Sequence, residues 1–336
     1  MSIHRPAAWA NTVEVAQQLA DELLFPAAVA TDASDVVPVG LLDALADAGL
    51  YGIVAPPDFG GVSADFGTVC AVLEAIASGC LTTAFLWMQH IGLVRALTSS
   101  ADEDLRARWL KPLASGEIRA GLALGGALPK PSLRAVPDGN GWLLEGVSPF
   151  VSGWGRIDVM HAAARTAGDD IVWLIVDATE NDTIRAEQLR LAALNATSTV
   201  RVTFTGARLP ADRVTGTHPV STVTPPEVLR THAALALGVT TRCCRILGPT
   251  SLDAELASVR SRLDRLGPDT AAARAAAGEL ALRAASALMT AEGSKALLAD
   301  TQAQRLAREA LFTLVYALRP ASRSAVLTKL GVPELT

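Results

Sequence analysis

Hydrophobic side chains change their spacing twice along these 336 residues, and that double change limits the fold more than any single motif. Up to about residue 113 they recur every three or four positions, as on the buried face of a helix. Val13, Ala16, Leu19, Ala20, Leu23 and Leu24 predict a first helix from Ala8 to about Phe25, stopped by Pro26. Further helices are expected over 41–50, 64–78, 82–97 and 102–113, the last closed by Ser115 and Gly116. Residues 51–57 read as extended, followed by a loop containing Pro56, Pro57, Asp58, Gly60 and Gly61. The pattern then shortens, and strands are expected over 119–126, 141–146, 158–165, 171–176 and 200–204, ending near Pro210. Asp138-Gly139-Asn140-Gly141 is a hairpin turn signal. Helical spacing returns after Pro225 and Pro226, over 229–247, 252–263, from a cap at Asp269 to about 289, 292–298 and 303–318.

Helices, then strands, then helices again make an α+β chain, with parts expected at 1–116, 117–218 and 219–336. Half of the residues are hydrophobic, alanine is abundant and only 4% are aromatic, which favours packed helices over a β-sandwich. The net charge is −5 with both signs interspersed, so no basic stripe offers itself to nucleic acid. The uncharged stretch 75–94 contains Ser78, Thr82, Thr83, Gln89 and His90, and reads as buried helical core rather than a membrane span. Cys70, Cys80, Cys243 and Cys244 fit no metal-ligand spacing, so no metal is expected, and they read as buried thiols in a reducing compartment. No apolar segment of secretory type follows the opening Met-Ser-Ile-His-Arg-Pro. A cytoplasmic protein is expected.

Four runs carry a more specific signal. Leu50-Tyr51-Gly52-Ile53-Val54-Ala55-Pro56-Pro57-Asp58-Phe59-Gly60-Gly61 is the first, and Leu110-Lys111-Pro112-Leu113-Ala114-Ser115-Gly116-Glu117 the second. The third is Gly141-Trp142-Leu143-Leu144-Glu145-Gly146 followed by Phe150-Val151-Ser152-Gly153. The fourth is Asn195-Ala196-Thr197-Ser198-Thr199-Val200 with Phe204 and Leu209-Pro210. In this order they resemble the motifs of the acyl-CoA dehydrogenase flavoproteins. The resemblance implies an N-terminal helical domain, a middle β-barrel-like domain and a C-terminal helical bundle. It implies an FAD that accepts hydride from Cβ of an acyl-CoA or related acyl thioester, while a carboxylate removes the α-proton. It also implies a homo- or hetero-oligomer and an electron-transfer partner.

Carried over residue by residue, Leu122, Leu124 and Gly125 fall on the family's first flavin segment, with Leu124 where a threonine is usual. Phe150, Val151 and Ser152 fall on the second, with Phe150 in place of tryptophan. The family's Tyr-Glu-Gly-Thr, whose glutamate is often the base, stands here as Tyr316-Ala317-Leu318-Arg319. Ala317 takes no proton. Other branches carry the base on the first helix of the last third, where Glu227 and His232 are the candidates. Five residues apart on a helix, those two point in different directions. An Arg-x-x-Phe-Gly run has no counterpart in 252–266, and a Gly-Gly-x-Gly loop is reduced to Gly293-Ser294-Lys295-Ala296. Arg305, Arg308 and Arg319 either face an anionic ligand or form a solvated face with Glu309. Gly153-Trp154-Gly155 matches no phosphate-loop fingerprint. Three functions remain: an acyl thioester dehydrogenase with a non-standard or missing base, a catalytically degenerate subunit of a hetero-oligomeric dehydrogenase, and a flavin-dependent monooxygenase on the same fold.

Overall fold

The structure is a computed structural model that describes residues 12–221 and 223–332. The opening hexapeptide and the expected helical start at 8–11 lie outside these residues. Pro26 does not stop the first helix. α1 (Thr12–Leu19) passes through a π-helical turn, Ala20–Leu24, into α2 (Phe25–Asp32). The Phe25 amide reaches back five residues to the Ala20 carbonyl. The widened turn lies just ahead of the proline and accommodates its missing N–H.

α3 (Val39–Asp47), α4 (Phe66–Gly79), α5 (Leu81–Thr98) and α6 (Glu103–Ser115) complete the first helical layer. Residues 51–57 are not extended. Leu50–Gly52 is a 3-10 turn, and the chain curls so that Gly61 lies on the 52–55 backbone. A Cβ on Gly61 would sit 2.0 Å from the Ala55 carbonyl oxygen, so the loop closes only with glycine there. The uncharged segment 75–94 is two buried helical pieces that meet at Cys80. No helix among the described residues is long and apolar enough to cross a membrane.

The middle of the chain forms one eight-stranded mixed sheet: β1 (Ala120–Ala123), β2 (Leu133–Asp138), β3 (Gly141–Val151), β4 (Val159–Arg165), β5 (Asp170–Asp177), β6 (Ile184–Gln188), β7 (Val200–Leu209) and β8 (Val214–Pro219). The order is β6-β7-β3-β2-β4-β5-β8, with β1 parallel to β4. Asp138 and Gly141 close the β2–β3 hairpin as the turn signal indicated. Strands β2, β6 and β8 were not expected. Their sequences, LRAVPD, IRAEQ and VTGTHP, are polar or interrupted by proline and lack a clean apolar alternation. β8 also carries the block past Pro210.

The last layer is α7 (Pro226–Leu247), α8 (Ser251–Asp264), α9 (Thr270–Glu292), α10 (Gln302–Val315) and α11 (Pro320–Lys329). Asp269 does not cap α9 with its side chain. Arg262 engages its carboxylate instead, at 3.0 and 3.1 Å. Residues 293–297 form a 3-10 turn, α10 ends at Val315, and Pro320 opens α11 as its first residue. α4 and α7 approach closely at Gly238, where a Cβ would meet Ala77 Cβ at 2.5 Å and the Glu74 carbonyl oxygen at 2.6 Å. One apolar core joins the two helical layers, and a second, including Val151, Met160 and Phe204, fills the sheet. All four cysteines are buried and unpaired.

Candidate active site

The edge of β1 away from β4 is held by α5. Gln89 Oε1 accepts the Leu122 amide at 3.1 Å, and His90 Nδ1 accepts the Ala120 amide at 3.1 Å. His90 Nε2 then donates to the Leu113 carbonyl, 3.1 Å away, which fixes the neutral tautomer. Burial pushes this imidazole down to about 3. Two consecutive α5 side chains thereby satisfy strand amides that would otherwise be orphaned, and they turn Leu122 toward a cavity of about 620 Å³.

Leu122, Leu124, Phe150 and Ser152 form the sheet side of that cavity. Phe85 and Gln89 of α5 line it, as do Leu191–Leu194, Thr197 and Thr199 of the loop between β6 and β7. Leu311, Phe312, Val315, Tyr316 and Ala317 close the opposite side. Tyr316 sits in an aromatic cluster, edge-on to Phe85 (4.9 Å) and His232 (5.0 Å) and stacked on Phe312 (5.4 Å). Burial raises its phenol to about 12, so the ring stays neutral.

Polar groups on the walls are few. Ser152 Oγ lies 2.6 Å from Thr199 Oγ1, which lies 2.7 Å from Thr197 Oγ1. Ser148 Oγ is sealed and has no hydrogen-bond partner. Arg308 is the one cation among the described wall residues, and it is already engaged by Asp32, by Gln304 and by the Ala192 carbonyl.

The sequence candidates divide sharply. Leu122, Leu124, Phe150, Ser152 and Ala317 reach the cavity. Gly125 does not. It packs into the sheet, where a Cβ would lie 2.4 Å from the Val147 carbonyl oxygen. Val151 points the other way from its neighbours, into the sheet core, as strand alternation requires. Glu227 is exposed on the first turn of α7 and is not a wall residue. His232 stands behind the Tyr316 ring with its Nδ1 sealed and unpartnered. Desolvation, reinforced by Arg274 and Arg319, pushes it down to about 3. Neither is placed to take a proton from a ligand in the cavity. Arg305 is not on the wall. It is buried in an ion pair with Glu309 at 2.5 Å. Arg319 donates to the Ser221 carbonyl.

Sequence reasoning passed over Phe85 and Gln89, although their spacing of four puts them on one helix face. Thr197 and Thr199 lay inside a matched motif, but nothing in the motif showed that alternate residues would face the cavity. The mainly apolar walls and the hydroxyl run at Ser152 fit an isoalloxazine ring and an acyl chain. A diphosphate placed in this cavity would find no unengaged cation of this chain on the described walls.

Residues 10–117 match the family model described as acyl-CoA dehydrogenase, N-terminal domain. That match covers the first helical layer and the entry into the sheet, not the rest of the chain. The chain is 28% identical over 156 residues to the (2S)-methylsuccinyl-CoA dehydrogenase of Cereibacter sphaeroides, covering 45% of this chain and 28% of that protein. The chain spans about half the length of other curated relatives it matches, the human short-chain specific acyl-CoA dehydrogenase among them. Its fold is that of the butyryl-CoA dehydrogenase of Megasphaera elsdenii, with a TM-score of 0.82 at 16% identity over 98% of this chain and all of that one. A dibenzothiophene monooxygenase from Paenibacillus sp. A11-2 has the same fold, with a TM-score of 0.76 at 17% identity over 96% of this chain and 97% of that one.

Proposed function

We propose that this chain is an acyl-CoA dehydrogenase-like flavin oxidoreductase acting on an acyl thioester, without a proton-accepting side chain of its own at the reacting carbon. The observation that carries the reading is the cavity itself. The sheet residues Leu122, Leu124, Phe150 and Ser152 face the end of α10 across it, and Ala317, which the motif resemblance sets against the family's glutamate, lies on that wall. When bound, FAD would supply a hydride acceptor. The sheet residues would hold its ring, while Leu311, Phe312 and Val315 would take the acyl chain and exclude water. Among the described wall residues there is no Asp, Glu, His or Lys, so the α-proton has no acceptor here at neutral pH.

Two further readings each rest on an observation. The missing base and the engaged Arg308 together favour a degenerate subunit whose site a partner completes. The likeness to a monooxygenase fold, with a cavity that needs no α-proton base, favours oxygen chemistry. An oligomer, an electron-transfer partner and a cytoplasmic location belong to the same proposal. The four buried free thiols suit a reducing compartment.

The deciding experiment titrates the purified protein with FAD, follows the visible spectrum, and then adds acyl-CoA thioesters with an artificial electron acceptor. Bound flavin with an enoyl product supports the dehydrogenase. Turnover that appears only with a co-purifying chain supports the subunit. An oxygen-dependent hydroxylated product supports the monooxygenase. A protein that takes up no FAD, alone or with a partner, sinks all three.

A further inference from the structure

Gln89 is only 5% exposed, yet its side chain lines the cavity. The Leu122 amide can only donate, so the Gln89 atom 3.1 Å from it is the oxygen, Oε1. Nε2 is then left for the cavity. Its two hydrogens have no acceptor among the described residues, and protein does not seal the atom. A buried amide in this position forfeits a hydrogen bond unless a ligand supplies the acceptor. Exposure sorts the walls by depth. Phe150 (63%) and Val315 (69%) stand at the rim, while Gln89 and Phe85 (7%) lie at the floor. Phe85 comes one helical turn before Gln89 on the same face of α5. It packs edge-on against Phe312 at 5.2 Å, on the side of the cavity that would flank the acyl chain. The free donor therefore belongs to the far end of the acyl path and not to its entrance.

We propose that Gln89 is a specificity residue, selecting acyl thioesters whose far end carries an uncharged oxygen acceptor, a ketone or a hydroxyl, over plain hydrocarbon chains. This rests on the acyl thioester reading above. Nε2 donates to that oxygen while Oε1 stays on the Leu122 amide. A hydrocarbon end at the floor shuts the amide off from water and gives it nothing to bond. A carboxylate end is disfavoured too. Arg308, the one cation among the described wall residues, is already held by Asp32, so a second negative charge would enter without a counter-charge.

The test titrates the purified protein, with FAD added, by calorimetry with two matched pairs: hexanoyl-CoA against 5-oxohexanoyl-CoA, and octanoyl-CoA against 7-oxooctanoyl-CoA. In at least one pair the ketone should bind about tenfold more tightly, the effect of one hydrogen bond. Gln89→Met keeps a side chain of similar length without the donor, and should reverse the preference in favour of the hydrocarbon. It also loses the Leu122 contact, but that loss acts on both members of a pair and cancels in their ratio. Hydrocarbon members that bind the wild type as tightly as the ketones overturn the proposal, a result that stands even should Gln89→Met misfold. A ketone preference that survives in Gln89→Met overturns it as well, as does Gln89→Met losing FAD with the ratio unchanged, which would assign the donor to the flavin. A wild type that takes up no FAD overturns the flavin reading alone, because the heat of acyl thioester binding is read without the cofactor.

Discussion

Arg274 donates from Nη2 to the backbone carbonyl of Tyr316 at 2.5 Å, and so grips the residue just before Ala317. Arg274 is buried, with no carboxylate partner among the described residues and an unpaired Nε. Ala317 itself is exposed and held at φ 52°. The end of α10 is therefore pinned in a left-handed turn that L-residues disfavour.

Substitution at this turn should separate strain from chemistry. Ala317→Gly relieves the positive φ without opening a cavity, since the methyl is exposed, and should stabilise by about 1 kcal/mol. A higher urea midpoint at unchanged slope would show it. Ala317→Glu introduces a carboxylate where the proposed function finds none. With flavin and an acyl thioester bound, it should raise the rate of enoyl formation by at least ~100-fold, the scale of general base catalysis. No gain in a flavin-loaded variant would mean that this turn does not present the side chain to the substrate.

The order of layers was legible because apolar spacing reports burial on one face. Elements failed where that report is weak. β2, β6 and β8 carry polar or proline-broken stretches and owe their pairing to neighbours far along the chain. Pro26 was read as a stop because a π-helical turn leaves no pattern in the side chains. At the cavity, motif position led to Ser152 and Phe150, which reach its wall, while the Val151 side chain turns into the sheet core, because a motif names a run and a strand alternates its faces. His232 and Glu227 were chosen as the nearest titratable groups in sequence. The packing of Tyr316 against His232 depends on how α10 crosses α7, which no local pattern encodes.

Acid should unfold this protein early. His90, His161 and His232 are each pushed down to about 3 by burial, from an ordinary value of 6.5. In the unfolded chain they take up protons below about pH 6.5, and in the folded one only near pH 3. Folded-state stability is therefore full above pH 6.5 and falls as pH drops through that window. The loss is about 1.4 kcal/mol per pH unit for each histidine. Urea unfolding at pH 7.5, 6.5 and 5.5 measures it. Uptake of less than one proton on unfolding at pH 5.5 would contradict the three buried neutral rings.

Glu74 of α4 joins three elements. It accepts from Arg230 of α7 at 2.7 Å and from Arg260 of α8 at 2.8 Å, and it is only 8% exposed. Glu74→Gln leaves the buried Arg230 short of counter-charge, although Asp264 still reaches it at 2.7 Å. A loss of about 3 kcal/mol is expected. In a double-mutant cycle with Arg230→Met, the pair should cost less than the sum of the singles. Strict additivity would show that the two side chains do not share one interaction.

Two helical glycines should respond to alanine in opposite directions. At Gly238 the added methyl meets Ala77 Cβ at 2.5 Å and the Glu74 carbonyl oxygen at 2.6 Å, so α7 must back away from α4. Overpacking of this kind costs about 1–3 kcal/mol, and it would also disturb the carboxylate that Arg230 and Arg260 share. At Gly40, on the first turn of α3, the methyl meets nothing within 4 Å. Gly40→Ala should stabilise by about 0.5 kcal/mol, through the lower entropy of the unfolded chain. Thermal melts of the two variants beside the wild type test the packing directly. If Gly238→Ala melts at or above the wild-type temperature, α4 and α7 do not touch at that point, and the close approach that joins the two helical layers is wrong.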